Sequence, residues 1–237
     1  MKKVYKVSIW ILSILTIIFI AAYVVLRLNT YHALTFDETL YQYQEETNGY
    51  YFFEHDYPQA VIIIYPGGLV SDEAYIPFAS NLRDQGYHVY LFKMPLHLAI
   101  LKTDAINDVI DVHPDLDYYG LGHSLGGAAL SFWIEEHPDQ LKGMIYIASY
   151  SSVDISDSNT RIVSIYGTRD GVLSDQTFFT AFKYYPDDYT LVSIEGGNHA
   201  NYFHYGPQKG DLEACIDPLD QQMQTIEIIN TFIKNDD

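Results

Sequence analysis

The sequence has few of the residues that build metal centres and covalent cross-links. It contains one cysteine, Cys215, which excludes an internal disulfide and lies far from any catalytic motif. Its nine histidines show no spacing typical of a zinc site, and its acidic residues form no calcium loop. We therefore expect no metal site.

Basic residues are scarce beyond the N-terminal segment. The chain has 13 Lys and Arg against 31 Asp and Glu, and all the acidic residues follow Thr35. Only nine basic residues follow Arg27, so the chain after this point carries a formal net charge of −22. Such a charge repels nucleic acid and anionic lipid and favours solubility. We expect no nucleic-acid partner.

Charged residues are absent from a long run near the N-terminus. Residues 7–26 are twenty mostly apolar residues, and as a helix they span about 30 Å, the thickness of the hydrocarbon layer. Three lysines precede the run and only Arg27 follows it closely, which places the N-terminus in the cytoplasm. The predicted domain organisation is a cytoplasmic N-terminus, a single-pass transmembrane anchor, a linker and an extracytoplasmic domain, over residues 1–6, 7–28, 29–48 and 49–237.

A cleaved signal peptide, which would release a secreted domain, is the alternative for this run. The apolar region of a signal peptide is about 7–15 residues long and ends at a cleavage site with small residues. Here the run is longer, and Ala21 and Ala22 precede the bulky Tyr23 and Val24. We therefore favour an anchor that is retained in the cell membrane.

A serine motif stands between a predicted buried strand, 117–121, and a predicted helix, 126–136. Residues 122–126 read Gly-His-Ser-Leu-Gly, a G-x-S-x-G nucleophile elbow that presents Ser124 on a strained turn. The glycines allow the neighbouring strand and helix to approach, and the helix directs free N–H groups to the place where an oxyanion forms. With this setting, the chain resembles the α/β-hydrolase family.

The resemblance implies an α/β-hydrolase fold, in which helices flank a mostly parallel, doubly wound sheet. The β-branched run at 60–65 is typical of a parallel strand that is covered on both faces. The stretch 149–160 stands where many hydrolases insert a large lid, and because it is short we expect a minimal lid and an open site. Further strands are predicted at 50–54, 86–94, 141–148, 161–166 and 189–194, and helices at 75–85, 96–112, 176–184 and 218–234.

The resemblance also implies a catalytic triad. Asp170 follows the tip of a predicted strand, where this fold places the triad carboxylate, and His199 lies in a glycine-bordered loop after the last strand. The order Ser124, Asp170, His199 is the one that this fold requires. Asp175 and His204 are weaker alternatives, because Asp175 suits the start of a helix and His204 lacks the strand-loop context.

Two backbone N–H groups are expected to form the oxyanion hole. Leu125 follows the nucleophile and supplies the first group. The Pro-Gly-Gly-Leu stretch at 66–69 resembles the HGGG-type loop of the family, with proline in place of histidine, and it supplies the second group from Gly68 or Leu69. The spacing leaves both residues open, and a plain tight turn is the structural alternative.

Two further residues are candidates for the pocket wall. His123 adjoins the serine, where packing is its other role. Lys209 lies in the loop 205–211, which resembles a feature of the dienelactone-hydrolase-like subgroup, and a positive group there suits an acidic leaving group. A surface turn is the alternative for this loop.

The resemblance implies a serine hydrolase that cleaves a carboxylic ester, or a related acyl bond, through an acyl-enzyme on Ser124. It implies a small-molecule acyl substrate and no cofactor. The segments YPGGLV, GHSLGG and GGNHANY look like those of small bacterial membrane-associated hydrolases of the dienelactone-hydrolase-like kind. An acyltransferase with the same triad and a non-catalytic binding module are the alternatives. Neither the acyl length nor an oligomeric state follows from the sequence.

Overall fold

The computed structural model describes residues 2–46 and 49–235 and divides into two compact units, Met1–Thr30 and Tyr31–Asp237. The first unit is the helix α1, Lys2–Leu28. Its stretch Ser8–Leu28 is long and apolar enough to cross a membrane, a property that N-terminal signal sequences share. A single apolar N-terminal helix, as predicted, is therefore present.

The second unit is built on one eight-stranded sheet with the strand order β1-β2-β4-β3-β5-β6-β7-β8. The first two strands pair in antiparallel fashion, β1 with β2 and β2 with β4, and all the other pairs are parallel. The predicted mostly parallel sheet is confirmed. The strands are β1 Gln44–Glu46, β2 Tyr50–Phe53, β3 Ala60–Tyr65, β4 Tyr87–Phe92, β5 Tyr118–His123, β6 Gly143–Ile147, β7 Arg161–Gly167 and β8 Tyr189–Ile194.

Four α-helices accompany this sheet among the described residues of the second unit, and they cover both of its faces. Ile62 and Ile64 of β3 point into one apolar cluster with α2 and α5, while Val61 and Ile63 point into the other with α3. Because both faces are covered, every residue of β3 is buried, as its continuous apolar sequence requires. The helices are α2 Ile76–Asp84, α3 Leu125–Glu136, α4 Asp175–Ala181 and α5 Pro218–Lys234.

The crossover helix predicted at 96–112 is wrong. The segment forms three short 3₁₀ turns, Pro95–His97, Ala99–Leu101 and Ala105–Asp108. Leu96 and His97 have positive φ angles, which end any helix at its start. The phenol of Tyr65 makes hydrogen bonds with two backbone groups of this segment. It accepts from the Ile106 N–H at 2.7 Å and donates to the Thr103 carbonyl at 3.0 Å. A core side chain thus replaces part of the helical hydrogen bonding.

The predicted linker, 29–48, also differs from the structure, in which the second unit begins at Tyr31. Tyr31 pairs with Val70 in a parallel bridge, and the segment ends in the edge strand β1. Its aromatic side chains pack against the core because they are too apolar to remain in water; these residues are Tyr31, Phe36, Tyr41 and Tyr43. Residues 47 and 48 lie outside the described residues.

Candidate active site

The nucleophile elbow lies between β5 and α3. Ser124 has φ 49° and ψ −119°, a conformation that non-glycine residues rarely adopt. A Cβ atom on Gly122 would lie 2.2 Å from the Cα atom of Gly127, and one on Gly126 would lie 2.0 Å from the Tyr65 carbonyl oxygen. The glycines of the motif are therefore required by the close approach of the helix to the strands, and this packing holds Ser124 in its strained turn.

Asp170 and His199, which follow β7 and β8, are hydrogen bonded to each other. The distance between Asp170 Oδ2 and His199 Nδ1 is 2.8 Å, and the two side chains are 3% and 1% exposed. The other carboxylate oxygen, Oδ1, accepts the N–H groups of Val172 at 2.9 Å and Leu173 at 2.8 Å. Because an ionised carboxylate only accepts hydrogen bonds, Nδ1 carries the proton of the neutral imidazole and Nε2 keeps its lone pair.

His199 lines the same cavity as Ser124, and one of its ring nitrogens is unpaired. Nε2 is buried and has no hydrogen-bond partner among the described residues. Ser124 and His199 both line a cavity of about 340 Å³, which opens at the carboxyl ends of the parallel strands. The three residues of the predicted triad are thus brought together, although the Ser124 hydroxyl and the His199 imidazole are not hydrogen bonded to each other. The arrangement places the imidazole of His199, a hydrogen-bond acceptor, and the hydroxyl of Ser124 at one cavity.

The structure separates the two candidates for the second oxyanion donor. The Leu69 N–H donates to the His97 carbonyl at 2.7 Å, so the suggestion of Leu69 is corrected. The Gly68 N–H makes no hydrogen bond within the described part of the chain, and a Cβ atom on Gly68 would lie 3.0 Å from the Leu125 side chain. The Leu125 N–H, the first of α3, has no acceptor within the helix. Gly68 and Leu125 therefore form an adjoining pair of N–H groups for which no acceptor is found among residues 2–46 and 49–235.

Asp211 is a supporting residue that sequence reasoning missed. Its Oδ1 accepts the Gly171 N–H at 3.0 Å, and its Oδ2 accepts the Ala200 N–H at 2.9 Å. Gly171 follows Asp170 and Ala200 follows His199, so one carboxylate joins the two loops that carry the acid and the base. Asp211 ends the loop 205–211, but nothing in that sequence indicates which backbone groups its side chain meets.

His123, proposed as packing or pocket wall, is completely buried beneath the elbow and does not line the cavity. Its Nδ1 lies 2.7 Å from the hydroxyl of Tyr75, a second residue that sequence reasoning missed. Burial, and to a lesser extent the neighbouring His199, lowers the pKa of His123 well below its usual range. His123 is therefore neutral and packs between the loops of the site.

Lys209, the other candidate for the pocket, is exposed and does not line the cavity. Its backbone N–H donates to the Tyr31 hydroxyl at 3.0 Å. His204, the weaker candidate for the base, packs edge-on against Phe36 with ring centroids 5.8 Å apart. The pocket role of Lys209 is corrected, and its loop instead joins the first residues of the unit to the site.

Small and apolar side chains form most of the cavity wall. Leu125 and Ala128 come from α3, and Val172 and Leu173 come from the loop after Asp170. Ser149, a further residue that sequence reasoning missed, also lines the cavity, and its Oγ donates to the Ser124 carbonyl at 2.5 Å. The stretch from 149 to 160 contains no helix or strand.

No group of three or more His, Cys, Asp or Glu side chains is placed to hold a metal ion in residues 2–46 or 49–235. Cys215 is a free, exposed thiol. The chemistry that the site itself offers is that of a hydroxyl, an imidazole, a carboxylate and two backbone N–H groups.

Comparison with known proteins gives the family. A comparison with curated proteins found no match. Solved structures with the same fold include Est1E from Butyrivibrio proteoclasticus, with 15% identity, a TM-score of 0.59 and coverage of 81% of this chain and 98% of that one. Another is a monoacylglycerol lipase from Paleococcus ferrophilus, with 13% identity, a TM-score of 0.57 and coverage of 78% and 98%.

A third is a predicted CIB-like hydrolase from Thermoplasma acidophilum, with 18% identity, a TM-score of 0.58 and coverage of 80% of this chain and 99% of that one. The finer dienelactone-hydrolase-like subgroup stays a prediction. The family model described as "Alpha/beta hydrolase family" matches residues 61–223, which contain the elbow, Asp170 and His199. The chain therefore belongs to the α/β-hydrolase family.

Proposed function

We propose that the second unit is a serine hydrolase that cleaves carboxylic esters through an acyl-enzyme. His199 Nε2 takes the proton of the Ser124 hydroxyl as Oγ attacks the ester carbonyl, and the N–H groups of Gly68 and Leu125 bind the resulting oxyanion. The protonated imidazole then gives its proton to the departing alkoxide, which leaves the acyl group on Ser124. Asp170 keeps the imidazole in the required tautomer and stabilises its charged form.

Deacylation repeats these steps with water as the nucleophile. His199 takes a proton from water as the oxygen attacks the acyl carbonyl, and it returns this proton to Ser124 Oγ when the acid leaves. The sequence of steps needs only the groups already described in the site.

The single observation that carries this proposal is the state of His199. Its Nδ1 is hydrogen bonded to Asp170 at 2.8 Å, its buried Nε2 is unpaired, and the residue lines the same cavity as Ser124. A buried acceptor without a partner costs stability. The Nε2 atom of His123 is also unpaired, but His123 does not line the cavity, whereas His199 does. A reacting hydroxyl or water in the cavity supplies the missing partner. Family membership and the Est1E and lipase neighbours support the same class of reaction.

The open cavity favours a small acyl group. Its volume of about 340 Å³ is near the lower end of the range for ligand pockets, and the apolar side chains of its wall suit a short aliphatic chain. A series of aryl esters of increasing acyl length, with lactones included, tests this preference. We expect the highest kcat/KM with short chains.

Replacing Ser124→Ala tests the proposed nucleophile. Turnover of a short-chain aryl ester is expected to fall by more than about 1,000-fold, and labelling by a fluorophosphonate is expected to disappear, while the Tm changes little. Ser156→Ala is the matched control, because Ser156 is exposed and bonds only within its own turn to Asp154. Turnover by Ser124→Ala at the wild-type rate would refute the assignment.

We further propose that Ser8–Leu28 is a retained anchor with its N-terminus in the cytoplasm. Its length matches the hydrocarbon layer, and the lysines that precede it match the positive-inside rule. Washing membranes at alkaline pH is expected to leave the full-length chain in the membrane fraction. A soluble mature form beginning near Tyr23 would instead indicate a cleaved signal peptide.

A further inference from the structure

A buried polar pair lies beneath the proposed oxyanion hole and has no part in the proposed proton transfers. Tyr75 and His123 are both completely buried, and the distance between Tyr75 Oη and His123 Nδ1 is 2.7 Å. The same phenol oxygen accepts the Gly67 N–H at 2.7 Å. One hydroxyl thus connects the loop after β3 with the residue that precedes the nucleophile.

The direction of these hydrogen bonds follows from the groups involved. The Gly67 N–H can only donate, so the phenol oxygen accepts from it and directs its own proton to another acceptor. Burial raises the pKa of the Tyr75 phenol and lowers that of His123, so the phenol keeps its proton and the imidazole is neutral. Nδ1 of His123 is then the acceptor, and the proton of the imidazole lies on Nε2.

The pair contacts the loop after β3, the nucleophile elbow and the loop of His199. Gly67 precedes Gly68, the candidate oxyanion donor, and His123 precedes Ser124. The rings of His123 and His199 lie 5.0 Å apart between centroids. A Cβ atom on Gly67 would be 2.7 Å from His123 Nδ1, so the glycine backbone rests directly on the pair. These two side chains therefore hold the loop at Gly67, while Leu69 is held separately by its hydrogen bonds with His97 and Tyr31.

We propose that Tyr75 and His123 are positioning residues, which hold the Gly67-Gly68 backbone so that the Gly68 N–H points to the oxyanion. This inference rests on the proposed function, because an oxyanion donor matters only if the site transfers an acyl group. The hydrogen bond to Gly67 fixes the orientation of one peptide plane, and the next plane carries the Gly68 N–H. The donor is thus oriented before the substrate arrives, as electrostatic stabilisation of a transition state requires.

The consequence differs from that of ordinary core packing. Phenylalanine at position 75 fills nearly the same volume, but it leaves the buried Gly67 N–H and His123 Nδ1 without partners. The loop is then free to turn the Gly68 N–H away from the site. Because the oxyanion exists only after attack on the carbonyl, the loss falls on kcat rather than on KM.

Steady-state kinetics of the full-length protein with a short-chain aryl ester test the inference. For Tyr75→Phe we expect kcat to fall by about 10–100-fold with KM within about twofold, a part of the effect of removing an oxyanion donor outright. The affinity for an arylboronic acid, whose serine adduct places an oxygen in the oxyanion hole, is expected to fall in parallel. Tyr87→Phe is the matched control, because Tyr87 is also buried and its hydroxyl has no hydrogen-bond partner among the described residues.

A second pair of variants separates positioning from packing. His123→Asn keeps an acceptor close to the place of Nδ1, whereas His123→Leu fills the space without one. We expect the asparagine variant to keep about tenfold more kcat than the leucine variant, since it preserves the Tyr75 hydrogen bond. Equal kcat values in the two variants, or a wild-type kcat in Tyr75→Phe, would overturn the inference alone. Wild-type turnover that did not depend on Ser124 would overturn the proposed function, and the inference with it.

Discussion

Histidines at the two edges of the sheet lie in different surroundings. At the carboxyl edge of the parallel strands, His199 is hydrogen bonded to Asp170, and its other ring nitrogen is unpaired. At the opposite edge, where β4 begins, the rings of His88 and His113 lie 4.4 Å apart. Their polar partners are neutral groups, namely the His55 N–H for His88 and the Tyr90 hydroxyl for His113.

The difference shows what an acid adds to a buried histidine. Burial lowers the pKa of His88 and His113, the nearby Glu54 acts in the opposite direction on both, and the proximity of His113 lowers that of His88 further. Such a pair contributes to the fold in its neutral form. The Asp170 carboxylate, in contrast, lies 2.8 Å from His199 Nδ1, and in the proposed mechanism it fixes the tautomer of His199 and stabilises a positive charge on its ring. The same residue type is thus suited to catalysis at one edge and to packing at the other.

The largest expected effect comes from removing the acid at the carboxyl edge. Asp170→Asn makes the surroundings of His199 resemble those of the neutral pair, because the amide donates to Nδ1 and turns Nε2 into a donor. We expect kcat for a short-chain aryl ester to fall by about 10³–10⁴-fold, with little change in Tm. Asp175→Asn, an exposed carboxyl in the first turn of α4, is the control. An activity within tenfold of wild type would contradict the proposed role of Asp170.

A smaller effect is expected from Asp211, which supports the same edge without contact to the reacting atoms. Asp211→Asn turns one of the two acceptors for Gly171 and Ala200 into a donor, so the acid and base loops separate slightly. We expect kcat to fall by about tenfold, since misplacement of reacting groups is costly. Asp217→Asn, which changes a carboxylate that accepts the Leu219 N–H at the start of α5, should change kcat less than twofold. If both substitutions changed kcat equally, the proposed role of Asp211 in positioning the acid and base loops would be wrong.

The smallest effect belongs to the opposite edge and concerns stability rather than rate. The pKa values of His88 and His113 are lowered in the folded state. Below about pH 6.5 the two histidines therefore bind protons more readily in the unfolded chain than in the folded chain. This contribution to stability is complete above pH 6.5 and is lost as the pH falls towards the lowered values. We expect His113→Phe to reduce the fall in Tm between pH 7 and pH 5 by about 1–3 °C.

The activity of the same variant completes the comparison. Since His113 lies at the far edge of the sheet, kcat at neutral pH should equal that of wild type. An unchanged slope of Tm against pH in His113→Phe would show that the neutral pair does not set the acid stability. A large loss of kcat would show that the two edges are not independent.

The nucleophile elbow was predictable because its determinants are local. Gly122, Ser124 and Gly126 are neighbours in the chain, and the contact that Gly122 permits, with Gly127, lies within the same strand-turn-helix segment. Asp170 and His199 could be placed because each follows a strand tip in a family whose residue order is known. The structure brings both into contact where the sequence suggested they would meet.

Other features depended on contacts between distant segments. The His97 carbonyl decides between Gly68 and Leu69, because it accepts the Leu69 N–H and leaves the Gly68 N–H as the candidate oxyanion donor. Helical spacing at 96–112 was overridden by the Tyr65 phenol, which bonds to the backbone of the segment. Tyr75 and Asp211 show no pattern in the sequence that points to a backbone partner in another loop.

The sequence by itself determined the apolar N-terminal helix, the mostly parallel sheet and the serine turn, because hydrophobic runs and glycine spacing act on residues close in the chain. Only the tertiary structure decided which N–H groups remain free, which carboxylate joins the acid and base loops, and which ring nitrogen of His199 is left unpaired. Each of these depends on hydrogen-bond partners from separate segments. A backbone N–H that donates to one segment is no longer available to another, and only the folded chain decides which N–H groups are occupied.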